Sequence, residues 1–258
     1  MSVVVGTLHV VEHNAMVFRR VWRGSIMVSF FTPLFFLGAM GLGLGSFVNR
    51  GAGGVGGVPY IDFLAPGLIA AATMQTAAFE CMYPILGKIM WDRIYDAMLA
   101  TPVRVGEVLA GEVAWVLLRT LMVSALFWVV MVIFGVARTP ESLLVIPAAV
   151  LNGLAFATPI LAFTARQRND AGFASIGRFV ITPLFLLGGA FFPLSKLPLF
   201  LQAVAWVTPL AHGVALCRGL VLGNIGLPDA LLHTAVIAAY FVIGFVLARM
   251  TFSRRLAG

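Results

Sequence analysis

Charge is scarce in this sequence. Asp, Glu, Lys and Arg make up 10% of its 258 residues, against about a quarter in soluble domains. So little charge cannot cover a water-facing surface, which excludes an ordinary soluble globular domain. Cysteine is rarer still, with only Cys81 and Cys217. The apolar pattern described below puts them on opposite sides of a membrane, out of reach for a disulfide. Neither has a neighbour at metal-ligand spacing. The sequence has no G-x-x-x-x-G-K-[ST] phosphate loop, and its closest imitation, Gly41-Leu42-Gly43-Leu44-Gly45, lies inside an apolar run. Small residues in that setting let helices approach closely. Gly51 to Gly57 reads as a flexible loop, since no strand precedes it. The four histidines, His9, His13, His212 and His233, are scattered, and only the first two share a helical face; no metal site is expected from them. Asp92 and Asp96 stand four residues apart on one segment and read as a solvated or partner-facing stripe rather than a catalytic pair. ATP binding by this chain is therefore excluded.

What the sequence has in quantity is apolar runs, with 61% of its residues hydrophobic. A bilayer crossing takes about 20 such residues. Seven runs qualify, and the basic residues between them decide which ones cross. With six spans, at 25–48, 61–87, 113–137, 142–165, 178–195 and 230–248, both termini fall in the cytosol. Arg19, Arg20, Arg23, Lys88, Arg93, Arg104, Arg166, Arg168, Arg178, Arg249, Arg254 and Arg255 then lie inside, and Arg50, Arg138, Lys196 and Arg218 outside. That bias agrees with the positive-inside rule. The remaining run, within 197–223, is interrupted by Pro198 and Pro209, and proline removes a backbone donor and clashes with the preceding turn. It reads as two short re-entrant helices on the outer side. The fold expected is all-α and integral to the membrane. The net charge of +7 sits at membrane edges, so its expected partner is anionic lipid rather than nucleic acid.

Ahead of the first span, residues 1–24 do not read as a cleavable signal. Leu8, Val11, Ala15, Phe18 and Trp22 form one helical stripe, with His9, His13, Arg20 and Arg23 on another side. An amphipathic helix in the cytosolic interface is expected. Between the second and third spans, 89–107 is the longest charged stretch. In it Trp91, Ile94, Tyr95 and Met98 give a half-apolar turn that Thr101-Pro102 stops. Glu80 and Arg119 are the ionisable residues placed well inside spans. Each lies seven residues from its span's cytosolic edge, about 10 Å deep at 1.5 Å per residue. Intramembrane charges of this kind usually pair and face protein or a water-filled cavity. The pair reads as a clamp between two spans or as a gate.

Four blocks in order resemble the membrane subunit of type-2 ABC exporters. They are YIDFLAPGLIAAATMQTAAFE (Tyr60 to Glu80), YDAMLATPVRVGEVLAGE (Tyr95 to Glu112), ITPLFLLGGAFFPLSKLP (Ile181 to Pro198) and TPLAHGVALCRGLVLG (Thr208 to Gly223). The nearest likeness is to nodulation-factor and daunorubicin-type drug export permeases. The resemblance covers nearly the whole chain and implies a permease of the bacterial cytoplasmic membrane. It further implies a second permease copy, forming a homodimer, and two copies of a separate ATP-binding cassette protein that supplies ATP and Mg. Carried across, it assigns coupling to the ATPase to Trp91, Asp92, Arg93, Tyr95 and Asp96, and an outer re-entrant motif to Pro209, His212 and Arg218. The expected cargo is an amphipathic or lipid-like substrate or a drug. The rival readings are an ion-coupled secondary transporter and an intramembrane lipid- or glycan-modifying enzyme. The first would show inverted repeats with helices broken at the midplane; the second needs a richer cluster of acid, base or metal groups than this chain offers.

Overall fold

The computed structural model describes residues 3–256. The expected interfacial helix starts at residue 1, and the two chain ends expected in the cytosol lie outside the described residues. Among those residues there is no β-strand, only an isolated bridge between Val55 and Val58. The fold is an all-α integral membrane bundle.

Helix α1 (Val3–Phe36) runs without interruption into a π-helical stretch, Leu37–Leu44, and on into α2 (Gly45–Ala52). The division expected at residue 24 therefore has no break to mark it, because no proline or turn sequence separates Arg23 from Ser25. The helix ends at Gly53, in the left-handed conformation at φ 66°, whose N–H reaches the Asn49 carbonyl; glycine takes this cap without a Cβ penalty. The face that α1 turns to the bundle also differs from the stripe read in the sequence. Gly6, Val10 and Asn14 are buried, whereas Leu8 and Trp22 are exposed. The contact is chosen by a notch in α6, where a Cβ on Gly111 would lie 2.5 Å from Val10 Cβ.

Helix α3 (Tyr60–Cys81) is the hub of the bundle, almost wholly buried and packed against α6, α7 and α11. It breaks at Met82 and resumes as α4 (Tyr83–Met90). Pro84 explains the break: it has no N–H to give to the Glu80 carbonyl four residues back, and its ring crowds that carbonyl. The nearby Cys81 carbonyl is satisfied from outside by the Thr164 hydroxyl at 2.8 Å, as backbone at membrane depth requires. Arg93, the one non-glycine residue with positive φ among those described (50°), turns the chain into α5 (Ile94–Leu99). Helix α6 (Val105–Ile133) follows, its first turn closed by the Glu107 carboxylate accepting from the Arg104 N–H at 3.1 Å.

A 3-10 turn, Pro140–Leu144, leads into α7 (Val145–Thr164). Next come α8 (Ala171–Ile176), a π turn at Gly177–Ile181 and α9 (Thr182–Leu187), which together make one 17-residue apolar helix, Ala171–Leu187. This helix stands where 178–195 was expected. It starts earlier and stops earlier, because Gly188 and Gly189, the latter at φ 84°, end it although the sequence stays apolar beyond them. Helices α10 (Leu199–Val207) and α11 (Pro209–Leu222) meet at an 85° bend ahead of Pro209, and α12 (Leu227–Leu256) packs along α7 and α11. Five helical segments among the described residues are long and apolar enough to cross a membrane, or six if the bent pair counts as one.

The GLGLG cluster acts through one glycine. A Cβ on Gly41 would lie 2.8 Å from Ile61 Cγ1 in α3, whereas one on Gly43 would meet nothing nearer than 3.9 Å. Overpacking of this kind costs about 1–3 kcal/mol. Gly41→Ala should therefore lower the melting temperature of the detergent-solubilised protein, Ile61→Ala should restore it, and Gly43→Ala should leave it unchanged. Equal melting of the two glycine variants would refute the contact.

Candidate functional site

Three ion pairs join the second span to the third. Arg138 Nη2 donates to Asp62 Oδ2 at 2.8 Å near one end, Arg119 Nε to Glu80 Oε1 at 2.8 Å within the membrane, and Lys88 Nζ to Glu112 Oε1 at 2.7 Å near the other end. The spacing is that of two antiparallel helices in fixed register. Eight residues forward from Glu80 to Lys88 match seven back from Arg119 to Glu112, and 18 back to Asp62 match 19 forward to Arg138. Sequence reasoning singled out only the pair at span depth. The matched spacing of the other four charges was the signal it missed.

The Glu80–Arg119 pair is not sealed. It opens on a cavity of about 480 Å³ whose wall includes the hydroxyls of Ser25, Ser29 and Thr76 beside apolar groups. The Arg119 guanidinium also sits 4.7 Å over the Phe18 ring, a cation–π contact, so α1 is drawn to the same point.

About two turns away lies a tighter cluster. The Glu112 side chain is only 1% exposed and accepts from Lys88 Nζ at 2.7 and 2.9 Å and from Asn14 Nδ2 at 3.0 Å, while Lys88 also donates to Asn14 Oδ1 at 2.7 Å. One carboxylate thus ties α1, α4 and α6 together. Tyr95 of α5 is buried beside it, with its ring 6.3 Å from Phe252 of α12. Its hydroxyl finds no hydrogen-bond partner of good geometry. Burial first, and the Glu112 carboxylate next, push the phenol pKa well above its ordinary value. Tyr95, assigned by resemblance to partner contact, is therefore an inward anchor: its helix position faces the bundle. The outward face of the same turn carries Trp91, 63% exposed, Asp92, and an Arg93–Asp96 ion pair at 2.9 Å. Between α5 and the first turns of α1 runs a groove of about 620 Å³ lined by His9, His13, Asp92, Met98 and neighbours.

At the opposite end, Pro209 opens α11 in its first turn, where its missing N–H is not needed. Arg218 places its guanidinium 3.7 Å over the Phe63 ring and donates to the carbonyls of Phe63 at 3.1 Å and Gly189 at 2.8 Å. The histidines are not all scattered. His212 Nδ1 lies 2.9 Å from His233 Nδ1, and His212 Nε2 lies 2.9 Å from the Trp206 carbonyl. A carbonyl only accepts, so Nε2 of a neutral His212 carries the hydrogen, its Nδ1 accepts, and His233 donates. The pair fastens α11 to α12, and its two members come from different helices, which no single-helix pattern reveals. Among the described residues no group of three or more His, Cys, Asp or Glu side chains is placed to hold a metal, and both cysteines are free and buried.

Removing one member of a buried ion pair costs about 3–5 kcal/mol, whereas replacing both with apolar residues is often neutral. Glu112→Leu should sharply reduce the yield of monodisperse protein on size-exclusion chromatography, and Lys88→Leu with Glu112→Leu should recover most of it. Wild-type yield from the single variant would contradict the assignment.

The geometry can be set beside known proteins. The family model described as ABC-2 type transporter matches residues 9–222. Nodulation protein J of Rhizobium leguminosarum bv. trifolii is 34% identical over 95% of this chain and 92% of its own length. Nodulation protein J of Rhizobium meliloti (strain 1021) is 33% identical over the same shares. The inner membrane transport permease YadH of Escherichia coli (strain K12) is 25% identical over 89% of this chain and 87% of its own. No solved structure matches. Since the family match and the relatives above 30% identity span most of its length, this chain belongs to the ABC-2 type transporter family, as a transmembrane subunit.

Proposed function

We propose that this chain is the permease of an ATP-driven exporter. Two copies would pair with two copies of a separate ATP-binding cassette protein to move an amphipathic or lipid-like substrate or drug across the bacterial cytoplasmic membrane. The observation that carries the reading is the construction of the α5 turn. Trp91, Asp92, Arg93 and Asp96 face outward, while Tyr95 behind them is buried next to Glu112. A push on that turn is passed to α6 and α12 through Tyr95, and through Glu112 to Lys88 of α4 and Asn14 of α1. ATP and Mg belong to the partner, since this sequence has no phosphate loop.

The orientation fits the same reading. The basic excess puts the α5 end in the cytosol, with Ala171–Leu187 as the fifth span and the bent α10–α11 pair dipping back from the outside. At 17 residues that fifth helix is about 26 Å long at 1.5 Å per residue, close to the roughly 30 Å hydrocarbon core. A transport role is supported by the Escherichia coli relative, an inner membrane transport permease. An amphipathic cargo suits the cavity beside Glu80 and Arg119, where hydroxyls and an ion pair interrupt apolar walls.

Two measurements test the proposal. The tagged chain, expressed with its genomic neighbours, should copurify with an ATP-binding protein. Changing Asp92, Arg93 and Asp96 together to Ala should reduce that recovery or uncouple hydrolysis from transport, while Tyr95→Phe, which keeps the buried ring, should not reduce recovery. Unchanged recovery and transport in the triple variant would sink the coupling role. The double change Glu80→Leu with Arg119→Leu should assemble at normal yield yet export poorly if the pair serves the path. Full export from that double variant would reduce the pair to a clamp.

A further inference from the structure

Helices α7 and α12 run parallel, so their C-terminal ends emerge side by side at the end of the bundle that carries α5. Between them lies a recess of about 420 Å³ lined by Arg166, Arg168, Arg254 and Arg255, with Leu247 and Met250 among its apolar walls. Among the described residues no carboxylate lines it, and none of the four guanidinium groups pairs with an acid. The groove on the other flank of α12 differs, because Arg104 and Arg249 there are accompanied by Glu107. Four like charges gathered in one recess repel one another, and the C-termini of α7 and α12 each offer only about half a unit of opposing charge.

We propose that this recess binds the phosphate headgroup of an anionic glycerophospholipid. Guanidinium forks match phosphate oxygens two at a time, and arginines from two elements present such forks to one volume. The apolar part of the recess selects a lipid over free phosphate. Leu247 and Met250 are each 48% exposed and lead from the arginines along α12, where an acyl chain would lie. Basic pockets between spans on the cytosolic side hold lipid headgroups by this chemistry. The site stands apart from the α5 turn and does not depend on the exporter reading.

The test is native mass spectrometry of the intact solubilised chain with short-chain phosphatidylglycerol, with phosphatidylcholine of the same chain length and with inorganic phosphate. Phosphatidylglycerol should be retained and the other two should not. Each basic group near an anionic headgroup is worth roughly fivefold in affinity. Arg254→Gln with Arg255→Gln, or Arg166→Gln with Arg168→Gln, should therefore weaken retention about 30-fold from the same per-residue figure, while Arg19→Gln with Arg20→Gln leaves it unchanged. If a double variant does not fold, Arg168→Gln and Arg255→Gln alone should each weaken it about fivefold. Unchanged phosphatidylglycerol retention in the folded variants overturns the proposal. Equal retention of inorganic phosphate makes this a free-anion site and overturns it as well. So does loss of a copurifying protein from these variants with lipid retention intact, which would assign the recess to an acidic protein segment.

Discussion

The Glu112 carboxylate, buried where α1, α4 and α6 cross, is the constraint on which the rest of the structure depends. A charge so enclosed is tolerated only when its acceptor sites are filled, and Lys88 and Asn14 fill them. Filling them fixes three things together: how far the N-terminal helix lies along α6, where α4 sits after the break at Met82, and the register of the second span against the third. The Glu80–Arg119 and Asp62–Arg138 pairs hold the same register further along, so the two spans form one unit that resists sliding. α5 hangs from this unit by a single turn, with the Tyr95 ring inserted behind it.

At the opposite end, backbone carbonyls join the Asp62–Arg138 pair as fastenings. Arg218 reaches the backbone of Phe63 in α3 and of Gly189 beyond α9, with its planar face stacked on Phe63. The Gly189 carbonyl lies past the end of α9, where a broken segment at membrane depth would otherwise leave it bare. The His212–His233 pair and the Tyr240 hydroxyl donating to the Val207 carbonyl tie the bent α10–α11 segment to α12. Ion pairs along its length and the Arg218 contacts near Phe63 thus meet on the α3 hub. The cavity beside Glu80 and Arg119 opens between α1, α3 and α6, where α1 leaves the cluster that anchors it.

The fold class and the family were legible in the sequence because both rest on one-dimensional properties. Apolar run length measured against bilayer thickness gives helices that cross, and four ordered blocks give the likeness. The Glu80–Arg119 contact was legible for a related reason: charges at equal depth in adjacent spans have few other partners. The bend at Pro209 also follows from the missing backbone donor. Less visible was the end of Ala171–Leu187, where two glycines stop a helix although hydrophobicity continues to Leu194. Nor could the face of α1 be read from its own periodicity, since a notch at Gly111 on another helix chooses it.

The sequence by itself determined that this is an all-α membrane protein of the ABC-2 type transporter family, and where most of its long apolar helices lie, since run length and composition are local features. Apart from Glu80 and Arg119, only the tertiary structure decided which polar groups meet. Asn14, Lys88 and Glu112 come from three helices, His212 and His233 from two, and the four arginines of the recess from the ends of two parallel helices. It also decided that Tyr95 points inward and its neighbours outward, because the left-handed turn at Arg93 sets the rotation of α5. Contacts between helices depend on register and rotation, and both are fixed only when the helices pack.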